Sequence, residues 1–154
     1  MILVGELRDY ETMSIAVTAA EMGILVMGTL HTNGAAPTVD RMVNAFPADK
    51  QPHVRAMLST SLRGVVSQQL IPRAGKPGRV AAMEIMVSTP AVANLIRQGK
   101  LDQLENTIQS GAALGMRTMD SAIQELLDKA MITGKDAYKK GINKAKFEPV
   151  KDNG

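Results

Sequence analysis

The sequence predicts an α/β fold in which parallel strands joined by a crossover helix, plus a β-hairpin, precede a small helical bundle. Three observations point to it. Residues 1–4 are a short unbroken apolar run and residues 24–30 a second, mostly apolar one, the pattern of strands covered on both faces. Between them lies one stretch at helical spacing, so strand, helix and strand follow each other as a βαβ unit with a parallel pair and a right-handed crossover. From residue 88 onward only helical spacing recurs, broken by Gly99, Gly111, Gly115 and Gly134.

Each element has a local reason. Asp9 suits the N-cap of a helix running to Met22, with Ile15, Ala16, Ala19, Ala20 and Met22 on one apolar face and Gly23 as its stop. After Asn33-Gly34 a helix is expected with Pro37 in its first turn and Val39, Met42 and Val43 on one face, ending at Phe46-Pro47. Asp49 then caps a longer helix in which Val54, Met57, Leu58, Leu62, Val65 and Val66 recur. Leu70-Ile71, a turn at Gly75-Lys76-Pro77-Gly78, and residues 80–87 read as a hairpin. Helices are expected over 91–98, 101–110 and 121–130, with a weaker one over 133–146. The chain is therefore expected to divide into an α/β part, residues 1–87, a helical part, 88–147, and a tail, 148–154.

Composition narrows the function classes. With 154 residues, 45% of them hydrophobic, the chain can bury a core of ordinary domain size. It has no cysteine, which rules out disulfides and thiolate metal sites. No apolar run approaches the roughly 18 residues that span a bilayer, so no transmembrane segment is expected. The first residues lack the basic start of a secretory signal. Residues 129–154 carry seven lysines against three acids, the pattern of a solvated helix and tail. The four aromatic residues, Tyr10, Phe46, Tyr138 and Phe147, are not interleaved with a basic cluster, so nucleic acid is not an expected partner. Eleven methionines are expected to fill gaps that aromatics usually occupy.

In an open parallel sheet, ligands bind beyond the carboxyl ends of the strands. The first strand ends in Gly5-Glu6-Leu7-Arg8-Asp9 and the second in Thr29-Leu30-His31-Thr32. A carboxylate so placed can hold a Mg²⁺ water or orient an attacking water, and the neighbouring hydroxyls and imidazole can touch a terminal phosphate. The competing reading makes Glu6 and His31 ordinary loop polars, with Arg8 paired to Asp9 or Glu11. His53 is expected on the polar side of its helix as a surface residue. Two histidines without cysteine give no zinc-ligand spacing, and no G-x-S-x-G is present. A phosphate-cradling G-x-x-x-x-G-K-[ST] loop is also missing: Lys76, Lys100 and Lys135 follow glycines, but Pro77, Leu101 and Asp136 come next.

These residues match a known pattern. Ile2-Leu3-Val4-Gly5-Glu6-Leu7-Arg8-Asp9 resembles the Walker B signature of the type II/type IV secretion ATPases, and Thr18-Ala19-Ala20-Glu21 through Gly28-Thr29-Leu30-His31-Thr32 is similar to their histidine box. Arg41 to Pro47, Ser67-Gln68-Gln69-Leu70, and Gly78-Arg79-Val80-Ala81-Ala82-Met83-Glu84-Ile85 continue the likeness, which weakens after about Lys139. Two features point to the branch of type IV pilus retraction motors that drives twitching motility. The tetracysteine zinc element usual in assembly ATPases is missing. Residues 91–98 also resemble the retraction motors' motif Ala-Ile-Arg-Asn-Leu-Ile-Arg-Glu. They depart from it at Val92, Ala93 and Gln98, and the last two each remove a charge.

The resemblance implies a RecA-like P-loop ATPase core with an appended helical bundle, working as a homohexamer with ATP and Mg²⁺. In that family an N-terminal domain, the Walker A loop and an acidic box precede the Walker B strand, so this chain is expected to be a C-terminal portion, inactive alone. Glu6 would be the Walker B glutamate, reaching Mg²⁺ through water, and His31 the histidine-box residue. Gly5 would allow close backbone approach, and Arg8, Asp9, Thr29 and Thr32 would border the nucleotide. The implied partners are further copies of the chain and the pilus platform proteins of the inner membrane. The implied location is cytoplasmic, peripheral at the pilus base. The alternatives are a non-catalytic interaction or oligomerisation module at the pilus base, and a portion of a type II secretion or pilus assembly ATPase.

Overall fold

The protein is described by a computed structural model covering residues 1–153. Strand β1, Ile2–Val4, pairs in parallel with β2, Val26–Gly28, with Leu3 opposite Met27. Helix α1, Tyr10–Glu21, makes the crossover, giving the βαβ unit read from the sequence. Asp9 caps it by accepting the Thr12 amide at 2.9 Å, and Gly23, at φ +87°, turns the chain away.

Helices α2, Ala35–Asn44, and α3, Gln51–Ser61, lead into a long antiparallel hairpin of β3, Gly64–Pro72, and β4, Arg79–Val87. Then come α4, Pro90–Gln98, a 3₁₀ turn at Leu101–Gln103, α5, Leu104–Ser110, and α6, Met119–Asp128. The chain continues into α7, Gly134–Lys140, and the short α8, Lys144–Phe147.

Two buried apolar clusters hold these elements. The first joins Leu7, Met13 and Val17 to Val39, Val54, Met86, Ile96 and Leu104, so α4 and α5 pack together with the helices that precede the hairpin. The second gathers Ile71 and Ala82 of the hairpin with Met119, Ile123, Ile132 and Phe147. Methionines take core positions in both, as the scarcity of aromatics predicts.

Four expectations change. The β1–β2 strands are not covered on both faces: Leu3 is 75% exposed, and Leu25 and Met27 are also open, because only two strands pair here among the described residues. Helix α1 buries Met13, Ala16 and Val17, whereas Ile15 and Met22 face solvent. Apolar residues and small polar ones such as Ser14 and Thr18 alternate around it, so periodicity alone does not single out the inward face. Asp49 caps nothing, since α3 has Lys50 at its N-cap with no side-chain bond and takes Pro52 into its first turn. Val65 and Val66 do not extend α3. They lie in β3 opposite Met86 and Ile85, because the helix ends at Ser61, ahead of Arg63-Gly64, and cross-strand pairing takes over.

Candidate functional site

Parallel pairing of β1 with β2 brings the two strand tips side by side. The Leu7 amide donates to the Thr29 carbonyl at 2.8 Å, and the Thr29 hydroxyl donates to the Gly5 carbonyl. This stitching sets Glu6 beside His31, with Oε1 3.5 Å from Nε2. Both side chains remain accessible, His31 at 84% and Glu6 at 43%. Gly28 is needed behind them, since a Cβ there would lie 2.8 Å from Leu7, whose buried side chain anchors the loop after β1.

The other candidates differ in how much of their bonding capacity is already used. Thr32 is tied to Thr38 of α2, hydroxyl to hydroxyl at 2.7 Å, and Thr38 donates to the Gly34 carbonyl. Asp9 serves α1, and its hydrogen bonds from Thr12 hold its carboxyl below the ordinary value of 3.8. The Arg8 carbonyl accepts from Arg41 at 3.3 Å, and no ion pair joins Arg8 to Asp9 or Glu11 among the described residues. Apart from its neighbours Val4 and Glu6, no part of the described chain lies within 4 Å of the position a Cβ on Gly5 would take, so space is open beside that backbone. The free groups at the tips are therefore the Glu6 carboxylate, the His31 imidazole and the Arg8 guanidinium.

This donor set bears on Mg²⁺. Among the described residues no group of three or more His, Cys, Asp or Glu side chains could enclose a metal ion. A single strand-end carboxylate fits contact through metal-bound water, which Mg²⁺ retains readily.

Sequence reading missed the residues that hold the loop after β2. Gly34, at φ +113°, turns its own amide to Ser67 Oγ at 2.8 Å and the Ala35 amide to Glu84 Oε1 at 2.6 Å. Ser67 and Glu84 are directly opposite one another on β3 and β4, and both are buried. An acid in an inward register position of an otherwise apolar strand was the available signal. His53 lies on the exposed side of α3, as expected.

A carboxylate and an imidazole thus stand together at adjacent parallel strand tips, the place where open α/β sheets bind their ligands. Comparison with known proteins makes the class specific. The type II/IV secretion system protein family matches residues 1–144, and the chain belongs to that family. It is 53% identical over 140 residues to the "type IV pilus retractation ATPase PilT" of Pseudomonas aeruginosa, covering 91% of this chain and 40% of that protein. It is 50% identical over 143 residues to the "twitching motility protein" of Neisseria gonorrhoeae, covering 93% of this chain and 38% of the relative. A crystal structure of the pilus retraction motor PilT with bound ADP superposes with a TM-score of 0.85 at 40% identity, over 96% of this chain and 41% of that one. The likeness to retraction motors seen in the sequence is thus found at the level of whole-chain identity and of fold. The chain spans about 40% of the length of the P. aeruginosa relative. No helix of the described residues is long and apolar enough to cross a membrane.

Proposed function

We propose that this chain is the C-terminal portion of a type IV pilus retraction motor, contributing the Walker B and histidine-box side of an ATP site. The pairing of Glu6 with His31 at 3.5 Å across neighbouring strand tips carries this reading. In it, Glu6 orients the attacking water and reaches Mg²⁺ through water, while His31 registers the terminal phosphate. Arg8 and the open backbone at Gly5 border the nucleotide. Asp9, Thr29 and Thr32 hold the loops that carry these groups, through the bonds to Thr12, Gly5 and Thr38. Without a phosphate-cradling loop, the 154 residues alone bind ATP weakly and do not turn it over. The α/β part, residues 1–87, presents the catalytic edge, and the helical part, 88–147, meets neighbouring subunits of a homohexamer or the platform proteins of the inner membrane. The motor then works in the cytoplasm, at the pilus base.

The test joins the chain to the Walker A-bearing part of a family member and measures ATP hydrolysis. Restored turnover that falls by about 10²-fold or more in Glu6→Gln is expected, the loss typical of removing one preorganised electrostatic group. Unchanged turnover in that variant refutes the role of Glu6.

A further inference from the structure

Glu84 is a buried carboxylate, 5% exposed, that the proposed chemistry does not use. None of the ion pairs among the described residues includes it. Its partners are instead two backbone amides from distant parts of the chain. Oε1 accepts from Ala35 at 2.6 Å and Oε2 from Met119 at 3.1 Å, the first residues of α2 and α6. A helix's first amides have no partner within the helix and carry partial positive charge, so one carboxylate, with an accepting oxygen for each, satisfies both ends. Both bonds are buried, the setting in which hydrogen bonds are strongest.

The two helix starts belong to different tasks. Ala35 directly follows His31-Thr32-Asn33-Gly34, and α2 itself holds Thr32 through Thr38. Met119 opens the helix around which the second apolar cluster is built. Ser67, across the ladder from Glu84, takes the preceding amide, Gly34, so the pair grips two consecutive amides of the His31 loop. Near the same place Ile85 exchanges both backbone hydrogen bonds with Arg117, at 2.8 and 2.9 Å, which fixes the approach to α6 on β4.

We propose that Glu84 is a positioning residue that couples the start of α6 to the His31 loop, so that displacement of α6 is transmitted to the His31 side chain. The importance of His31 rests on the functional reading above; the mechanical link between α6 and the loop does not. Two arrangements are available to the carboxylate: with both amides held, the loop and α6 form one body; with α6 withdrawn, the carboxylate keeps only Ala35 and is free to reorient.

The experiment uses the full 154-residue chain without nucleotide. Nuclear magnetic resonance reads amide exchange at Ala35 and Met119 together with the ring-proton resonances of His31. Glu84→Gln replaces one accepting oxygen with a donor, so exchange at one or both amides should accelerate about 10- to 100-fold, with a shift of the His31 resonances. Thr118→Ala leaves Glu84 intact but removes the cap of α6, whose Thr118 oxygen accepts from the Ser121 amide at 3.2 Å. With Glu84 present, this cap variant should accelerate exchange at Met119 about 2- to 30-fold, raise it at Ala35 as well, and move the His31 resonances. In the Glu84→Gln background it should affect Met119 alone. Ala35 and His31 signals indifferent to Thr118→Ala in the presence of Glu84 overturn the proposal, even if Glu84→Gln fails to fold. Unaltered exchange at both amides in a folded Glu84→Gln overturns it too. None of these signals involves ATP, so a failure here is distinct from a failure of the Glu6 assignment.

Discussion

The strand tips of β1 and β2 and the packed region around α6 to α8 use their side chains in opposite ways. At the tips each strand has three residues, apolar side chains such as Leu3 and Met27 face solvent, and the one ion pair of Glu6 among the described residues is with His31. Around α6 to α8 little is left over. Phe147 is fully buried, a Cβ on Gly134 would lie 2.0 Å from the Val150 carbonyl oxygen, and Asp120 accepts from the Ile142 and Asn143 amides at 2.7 and 2.9 Å. Two of its lysines are engaged as well, since Lys144 donates to the Tyr138 and Lys139 carbonyls and Lys146 to that of Asp120. The bonding capacity that a ligand needs is kept at the strand tips. The second region spends its own on fixed geometry.

Substitutions in the two regions should therefore differ in kind. The largest effect is expected from Phe147→Ala, which empties a fully buried site of the second cluster and should cost about 3–5 kcal/mol in denaturant unfolding. A loss under about 1 kcal/mol would mean that the region is not packed as described. A smaller loss is expected from Asp9→Ala, which frees the Thr12 amide at the start of α1. Because the folded carboxyl titrates below its ordinary 3.8, the stabilisation from Asp9 is complete above that value and fades as pH falls through the depressed one. Unfolding measured between pH 2 and 5 should show this acid-side loss in the parent chain and less of it in the variant. The smallest effect on stability belongs to Leu3→Gln with Met27→Gln, within about 0.5 kcal/mol, since both side chains are already exposed. The same pair should lower self-association in sedimentation, because it removes apolar surface from an unpaired strand edge. An increase in stability cost to the level of Phe147→Ala would erase the contrast between the regions.

Much of the architecture was legible because local chemistry and tertiary packing agree. The apolar runs flanking α1, the Asp9 cap, and the left-handed glycines at positions 23 and 99 each state their role in a few residues. The juxtaposition of Glu6 and His31 was also readable, since both follow apolar runs that pair in parallel. Other features were not. Leu62, Val65 and Val66 continue the spacing of Leu58 at helical intervals, and only their partners across the hairpin decide that the last two are strand. The inward place of Glu84 shows in the alternation of β4, but its partners are amides 49 and 35 positions away, which no local pattern encodes. The outward turn of Ile15 likewise follows from what packs against α1 and from nothing in its own period.

The second apolar cluster also has a consequence for biosynthesis. It unites Ile71 and Ala82 of the hairpin with Ile132 and Phe147. The hairpin can pair as soon as β4 has emerged from the ribosome, yet the half carrying Ile71 has to wait until residue 147 has been added before its neighbours are complete. Contacts so far apart along the chain close slowly, because a long loop must be ordered before they repay it. A nascent chain with residues up to Met116 outside the ribosome and α6 to α8 still to emerge would thus present a finished first cluster beside an uncovered hairpin end, the species a chaperone is expected to meet.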